Sequence, residues 1–152
     1  MIGELILLVG VFMLSVASIN GIAAISWFVD FPSLLLMALV LIPGLILMGE
    51  WKDFIKAFSV GIKPYSLLDL KNIIGAVDAA QKLTVYGALF AIIISAILLL
   101  GGLNDPSKIG PNLAVCFLAG FYAVIVEFFL LPLRINAERK MNEEMDLGDD
   151  ED

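Results

Sequence analysis

The stretch LTVYGALFAIIISAILLLGGL, residues 83–103, decides the fold class of this chain. It contains no Asp, Glu, Lys or Arg. A helix needs about 20 residues to cross the roughly 30 Å hydrocarbon layer of a bilayer, at 1.5 Å per residue. A helix of a water-soluble domain would carry a charged face, which this run lacks. We therefore predict a transmembrane helix over these residues.

Three further apolar runs indicate that the whole chain is built in the same way. Hydrophobic residues make up 61% of the sequence, and the mean hydropathy is +0.99. A transmembrane β-barrel would show strands of alternating polarity, whereas these runs are continuous. Helices are then the structure that satisfies the backbone within lipid. The sequence predicts an all-α membrane protein with four transmembrane helices, at residues 5–25, 33–48, 83–103 and 113–133.

The positions of lysine and arginine predict the orientation. Eight of the nine basic residues lie between the second and third spans or after the fourth. Only Lys108 lies between the third and fourth spans. Because basic residues mark cytoplasmic loops, we expect both termini in the cytoplasm and the spans paired as two hairpins. The predicted parts are a first hairpin (1–51), a cytoplasmic linker with an amphipathic helix (52–82), a second hairpin (83–140) and an acidic disordered tail (141–152).

The linker carries a helix-start signal. Ser66 followed by Asp69 is typical of an N-cap with an acid three residues on. The apolar residues Leu70, Ile73, Ile74 and Val77 then recur at the spacing of one helix face. We expect this helix to continue into the third span. Between the third and fourth spans, residues 104–111 are rich in turn formers and predict an outer turn.

The acidic end accounts for the formal net charge of −7, because seven of the 16 acidic residues lie in residues 143–152. Such a block is typical of a solvated end, and a docking segment for a basic partner is the alternative. The chain has no histidine and one cysteine. This excludes histidine catalysis, histidine-ligated metal and a disulfide within the chain. We expect no enzyme activity, no metal site and no nucleic-acid partner.

Small and polar side chains recur along one face of each of the last two predicted spans. Close helix packing explains such stripes, because small residues let membrane helices approach each other. A polar cavity or pore explains them as well, and the two interpretations are compatible. The stripe of the third span holds Thr84, Ala88, Ala91 and Ser95, and that of the fourth holds Asn112, Cys116, Ala119, Gly120, Ala123 and Glu127.

Glu127 is the one acid well inside a predicted span. A charged side chain at mid-bilayer costs roughly 2.5–3.5 kcal/mol on insertion scales, so such residues face protein or water and often serve function. A salt link to Arg134, seven residues on, is one interpretation. A proton-carrying or ion-coordinating role is the other. The candidates for an ion path are Glu127, Ser95, Thr84 and Asn112.

Two segments of the chain resemble a known family. The residues Phe28-Val-Asp30-Phe-Pro32-Ser33 resemble the segment that opens the second membrane helix of flagellar stator MotA proteins. The stretch 103–115, with Phe121-Tyr122 and Leu131-Pro132-Leu133 after it, resembles their outer turn and last helix. The chain is similar to short members of the MotA/TolQ/ExbB proton channel superfamily without the large cytoplasmic torque domain. The motif residues are Asp30, Pro32, Asp105, Pro106, Gly110, Pro111, Tyr122 and Pro132.

This resemblance implies an assembly and a function. Relatives form pentamers around a dimer of a single-span partner of MotB, TolR or ExbD type, in the bacterial inner membrane. Their last two helices line a path for H⁺ or Na⁺, and ion flow drives rotation or force on the cell envelope. By this resemblance the chain is a multi-pass subunit of an energy-transducing, stator-like complex, with no cofactor besides the transported ion.

Two departures from the family pattern keep a second function open. Stator relatives carry a proline and a Gly-Thr pair in the third helix, where this chain has Val85, Ala91 and Ile92. Two threonines of the last helix are replaced by Ala119 and Gly120. The alternative is a non-conducting scaffold or assembly subunit of an envelope complex that has lost the ion path.

Overall fold

The computed structural model describes residues 7, 10–12, 14, 15, 17–19, 21 and 28–149. This part of the chain is helical and contains no strand. The described residues between 7 and 19 are helical, and the rest of the first predicted span lies outside the described residues. The remaining helices are α1 (Phe31–Leu47), α2 (Trp51–Ala57), α3 (Leu67–Gly101) and α4 (Pro106–Asp149).

The all-α fold and its membrane-length helices confirm the coarse prediction of fold class. Helices α3 and α4 are each long and apolar enough to cross a bilayer. Helices α1 and α2 together form a third candidate span, bent by 110° at the break between them. The described part of the chain therefore contains two or three helices of membrane length.

Helix α1 begins at Phe31, two residues before the predicted second span. Asp30 is its N-cap, and the Asp30 carboxylate accepts a hydrogen bond of 3.0 Å from the Ser33 backbone N–H. Pro32 occupies the first turn, where its missing N–H is not needed. The helix ends at Leu47, and Gly49 follows with φ of +77°. A side chain would strain that backbone conformation, so glycine makes the sharp turn into α2 possible.

Helix α3 begins as predicted. The Ser66 hydroxyl accepts a hydrogen bond from the Asp69 backbone N–H, which confirms the N-cap. The helix runs without a break through the third predicted span to Gly101. Its 35 residues are about 52 Å long at 1.5 Å per residue. Because the hydrocarbon layer is only about 30 Å thick, α3 is much longer than one crossing of a bilayer requires.

Helix α4 is longer at both ends than the predicted span. It begins at Pro106, because the Asp105 carboxylate accepts from the Ser107 backbone N–H at 3.2 Å and starts the helix. The outer turn is therefore shorter than the predicted 104–111. At the other end α4 continues to Asp149, where we expected a disordered tail from residue 141. The pair Arg139–Glu143, one turn apart at 3.3 Å, supports that extension.

Two kinds of packing hold the helices together. At the end of the bundle that carries most lysines and arginines, here called the basic end, large side chains form a core of α1, α2, α3 and α4. Outside this core, the buried residues of α3 and α4 are small, except for Tyr122. Small buried residues are typical of helices that pack within lipid, whereas the burial of large apolar side chains is favourable in water. The fully buried large residues of the basic end include Leu45, Val60, Leu70, Ile73, Val77, Leu130 and Leu133.

Helix α1 lies very close to α3 where the two cross. A Cβ built on Gly87 of α3 would lie 3.3 Å from Val40 Cβ and 3.7 Å from Met37 Cα. A Cβ built on Gly44 of α1 would lie 2.8 Å from the Leu83 methyl groups. Glycine on each helix therefore sets the separation of α1 and α3.

A lysine ties α2 to the start of α3, and its charge state predicts a pH dependence. Lys56 Nζ lies 2.8 Å from Asp53 and 3.2 Å from Asp69. The Ser66 hydroxyl and Lys56 lower the pKa of Asp69 below 3.8, and hydrogen bonds to Asp53 and Asp69 raise the pKa of Lys56 above 10.5. A carboxyl group with a lowered pKa stabilises the fold at pH values above its pKa in the unfolded chain. This stabilisation is lost as the pH falls through its pKa in the folded chain.

We therefore expect α2 to stay docked at neutral pH and to loosen below about pH 4. Emission of Trp51, measured against pH in a Trp27→Phe variant, follows this docking. Asp69→Asn is expected to remove part of the change below pH 4. Asp105→Asn is the matched control, because the pKa of Asp105 is also lowered but the residue lies at the other end of the hairpin. If Trp51 emission changed equally below pH 4 in the two variants, the expected role of Asp69 would be contradicted.

Candidate functional site

The candidate site is a line of polar residues between α3 and α4. Gln81 Nε2 donates a hydrogen bond of 2.9 Å to Glu127 Oε2. About one turn nearer the basic end, Arg134 Nη1 lies 3.1 Å from Asp78 Oδ1. We call these four residues the polar seam. Asp78 and Gln81 are three residues apart on α3, and Glu127 and Arg134 are seven apart on α4, so each pair shares a helix face.

Arg134 and Glu127 of the polar seam differ in the partners that surround their charges. Arg134 is bound on both sides, since its Nε also donates to Glu138 Oε1 at 2.9 Å. Glu127 has the neutral Gln81 amide as its hydrogen-bond partner. Its second oxygen, Oε1, is buried and has no partner within the described part of the chain. Glu127 is therefore a carboxyl group of the apolar hairpin without a cation beside it among the described ion pairs.

A further oxygen without a partner lies one turn deeper in the hairpin. Thr84 is 1% exposed, and its Oγ1 has no hydrogen-bond partner among the described residues. Asp78 Oδ1 is buried as well, but it has the ion pair with Arg134 at 3.1 Å. A buried polar group without a partner costs about 1–3 kcal/mol. The free oxygens of Glu127 and Thr84 are therefore able to bind a further donor, such as a water molecule.

The predicted small-residue stripes lie mostly inside the chain. Ser95 of α3 is buried together with Ala88 and Ala91, and Ala119 of α4 has no exposed surface. Cys116 Sγ lies 3.8 Å from the Ile92 carbonyl oxygen, which fixes the antiparallel register of the hairpin. Gly120 and Ala123 are half-buried, and a Cβ on Gly120 would meet nothing within 4 Å.

Asn112 is apart from the other ion-path candidates. It lies at the end of the hairpin opposite the basic end, in the wall of an open cleft that Ser107 and Lys108 also line. The polar seam lies toward the basic end. The structure therefore brings Glu127 and Gln81 together near one end, places Thr84 and Ser95 along the hairpin, and leaves Asn112 at the other end.

The motif residues Asp30 and Tyr122 meet where the start of α1 packs on α4, midway along the predicted fourth span. The Tyr122 hydroxyl donates to the Phe28 carbonyl at 2.6 Å and accepts from the Asp30 backbone N–H at 2.6 Å. It thus holds the start of α1 against α4. The other motif residues have no such contact: Pro32 starts α1, Asp105 and Pro106 start α4, Gly110 and Pro111 lie in the first turns of α4, and Pro132 lies inside it.

The sequence pattern did not single out Asp78 and Gln81 as members of the site. The signal that could have found Gln81 is spacing, because Gln81 precedes Thr84 by three residues and so lies beside its stripe on the side of the basic end. Their partners on α4 depend on the register of two helices, which spacing along one helix does not determine.

Among the described residues, no group of three or more Asp, Glu, Cys or His side chains could hold a metal ion. The site is thus a set of hydrogen-bonding groups in an apolar hairpin, with one carboxyl group that lacks a neighbouring cation. The chain matches no family model, no curated protein and no solved structure.

Proposed function

We propose that this chain is a MotA/TolQ/ExbB-like subunit of an ion-motive-force-driven, energy-transducing complex. In this proposal it crosses the bacterial inner membrane four times with both termini in the cytoplasm. Five copies form a shell around a single-span partner of MotB, TolR or ExbD type. H⁺ or Na⁺ moves through the assembly, and its movement drives mechanical work on the envelope.

The observation that carries the proposal is the environment of Glu127. A carboxyl group with a neutral amide partner and one oxygen without a partner is able to take up a proton or to coordinate a small cation. An ionisable side chain within an apolar hairpin is a functional-site candidate by default, because its insertion is costly. The motifs around Asp30 and Asp105 support the same assignment, since they occur in the family order.

Proteoliposomes that contain the chain and its single-span partner, with a pH-sensitive dye inside, test this proposal. We expect acid-driven flux for the unchanged protein and at least a tenfold loss in Glu127→Gln, which keeps the shape but cannot carry the proton. Glu50→Gln is the matched control, because Glu50 lies between α1 and α2, outside the polar seam, and is expected to leave the flux unchanged. Full flux in Glu127→Gln would contradict the role assigned to Glu127.

The second candidate is a non-conducting scaffold of an envelope complex. The observation that favours it is the packing of Ala88, Ala91 and Ala119, which are buried within a single chain instead of lining an opening. The same liposomes separate the two candidates. Assembly with the partner but no flux of H⁺ or Na⁺ from the unchanged protein would favour the scaffold and rule out the conducting complex.

A further inference from the structure

The first residues of α3 lie beyond the reach of lipid. Leu67 precedes Leu83, where the apolar run begins, by 16 residues, or about 24 Å of helix. The membrane edge has a second marker, because Trp51, Phe54 and Phe58 of α2 form a row of ring contacts that ends on Phe129 of α4. Tryptophan, unlike phenylalanine, collects at the interface of a membrane with water, so Trp51 is the marker in this row. The start of α3 therefore lies in water.

This water-side region exposes apolar side chains together with unpaired lysines. Ile62 is 86%, Leu67 44% and Leu68 69% exposed. Lys63 and Lys71 lie beside them, are exposed and take part in none of the ion pairs of the described residues. Lys56, in contrast, is bound by two acids. We call Ile62, Lys63, Leu67, Leu68 and Lys71 the basic patch.

The end of α4 carries acidic side chains level with the start of α3. The pairs Gln81–Glu127 and Asp78–Arg134 fix the antiparallel register, which places residue 67 level with about residues 141–145 of α4. There, Met145 is 41% exposed and Asp146 is exposed with no ion pair among the described residues. Glu143, Glu144, Met145 and Asp146 form what we call the acidic ridge.

We propose that the basic patch of one copy docks on the acidic ridge of the next copy. Both surfaces remain exposed in a single chain, they carry opposite charge, and each adds apolar side chains that water would otherwise surround. Two different surfaces that bind each other give a head-to-tail contact, and repetition of such a contact closes into a ring when its rotation divides a full turn. The inference rests on the proposed homo-oligomer and assigns its contact on the water side of the membrane.

Disulfide cross-linking tests the contact directly. In a Cys116→Ser background, a copy with Leu68→Cys and a differently tagged copy with Met145→Cys are produced together in the same membrane. We expect mild oxidation to give the mixed dimer, identified by its two tags. Leu68→Cys with Leu113→Cys, at the outer end of the hairpin, is the matched control and is expected to give none. Equal yields from the two pairs would overturn the proposed contact.

Charge exchange gives an independent test. Lys71→Glu and Asp146→Lys are each expected to weaken association by about two- to fivefold per contact, the usual range for an exposed ion pair. The double variant is expected to restore association, which native mass spectrometry in mild detergent measures. Intact rings that are indifferent to all three variants would overturn the docking of patch on ridge and leave the proposed function standing. Monomers of the unchanged protein would instead contradict the proposed assembly itself.

Discussion

Replacement of Gly87 by leucine is expected to separate α1 from α3 and to destabilise the protein by about 3 kcal/mol, at the upper end of the usual range for overpacking. A Cβ at this position already lies 3.3 Å from Val40 Cβ, and the three further carbons of leucine have no space on that side. Gly87→Ala requires only a shift of Val40, so we expect a much smaller change. Unfolding in detergent, followed by circular dichroism against denaturant, measures both.

Gly75→Leu is the control for this series. A Cβ on Gly75 of α3 would meet nothing within 4 Å, and the residue is exposed. Leucine there is expected to stabilise the helix by roughly 0.5–1 kcal/mol, because glycine is the poorer helix former. If Gly87→Leu proved as stable as Gly75→Leu, the close crossing of α1 and α3 would be wrong.

The second large effect is expected for Tyr122→Phe. The substitution leaves the Phe28 carbonyl and the Asp30 N–H without the partner that now lies 2.6 Å from each. A polar group that loses its partner costs about 1–3 kcal/mol when buried; these two are half-buried, so we expect a loss of about 1–2 kcal/mol. The start of α1 is also expected to exchange its amide hydrogens faster, which hydrogen-exchange mass spectrometry measures.

Tyr65→Phe provides the comparison for that experiment. The Tyr65 hydroxyl makes one hydrogen bond, 2.8 Å to the Ser59 hydroxyl, in a half-buried position. Its loss is expected to cost less than about 1 kcal/mol, because water can replace the partner. Equal effects of the two substitutions would show that Tyr122 does not hold α1 against α4.

The features that the sequence predicted correctly are local. Ser66 and Asp69 lie within one turn, so the start of α3 follows from capping alone. The apolar character of residues 83–103 likewise predicts a membrane-length helix without knowledge of its neighbours.

The features that the sequence did not predict depend on contacts between distant residues. Tyr122 bonds to residues 92 and 94 positions away, and only the family motif pointed to it. Gln81 became part of the candidate site through its contact with Glu127, which depends on the register of α3 against α4. The helical continuation of α4 to Asp149 ran against the expectation from its acidic composition, since charge pairing along the helix, as in Arg139–Glu143, supports it.

The proposed assembly and function depend most on the sides of the membrane at which the two ends of the α3–α4 hairpin lie. Labelling with a membrane-impermeant maleimide, in a Cys116→Ser background, measures this in intact cells. We predict that Lys108→Cys reacts from outside, and that Lys63→Cys and Asn142→Cys react only after the membrane is opened. Reaction of Lys108→Cys and Lys63→Cys from the same side would contradict the orientation, and with it the proposed assembly and function.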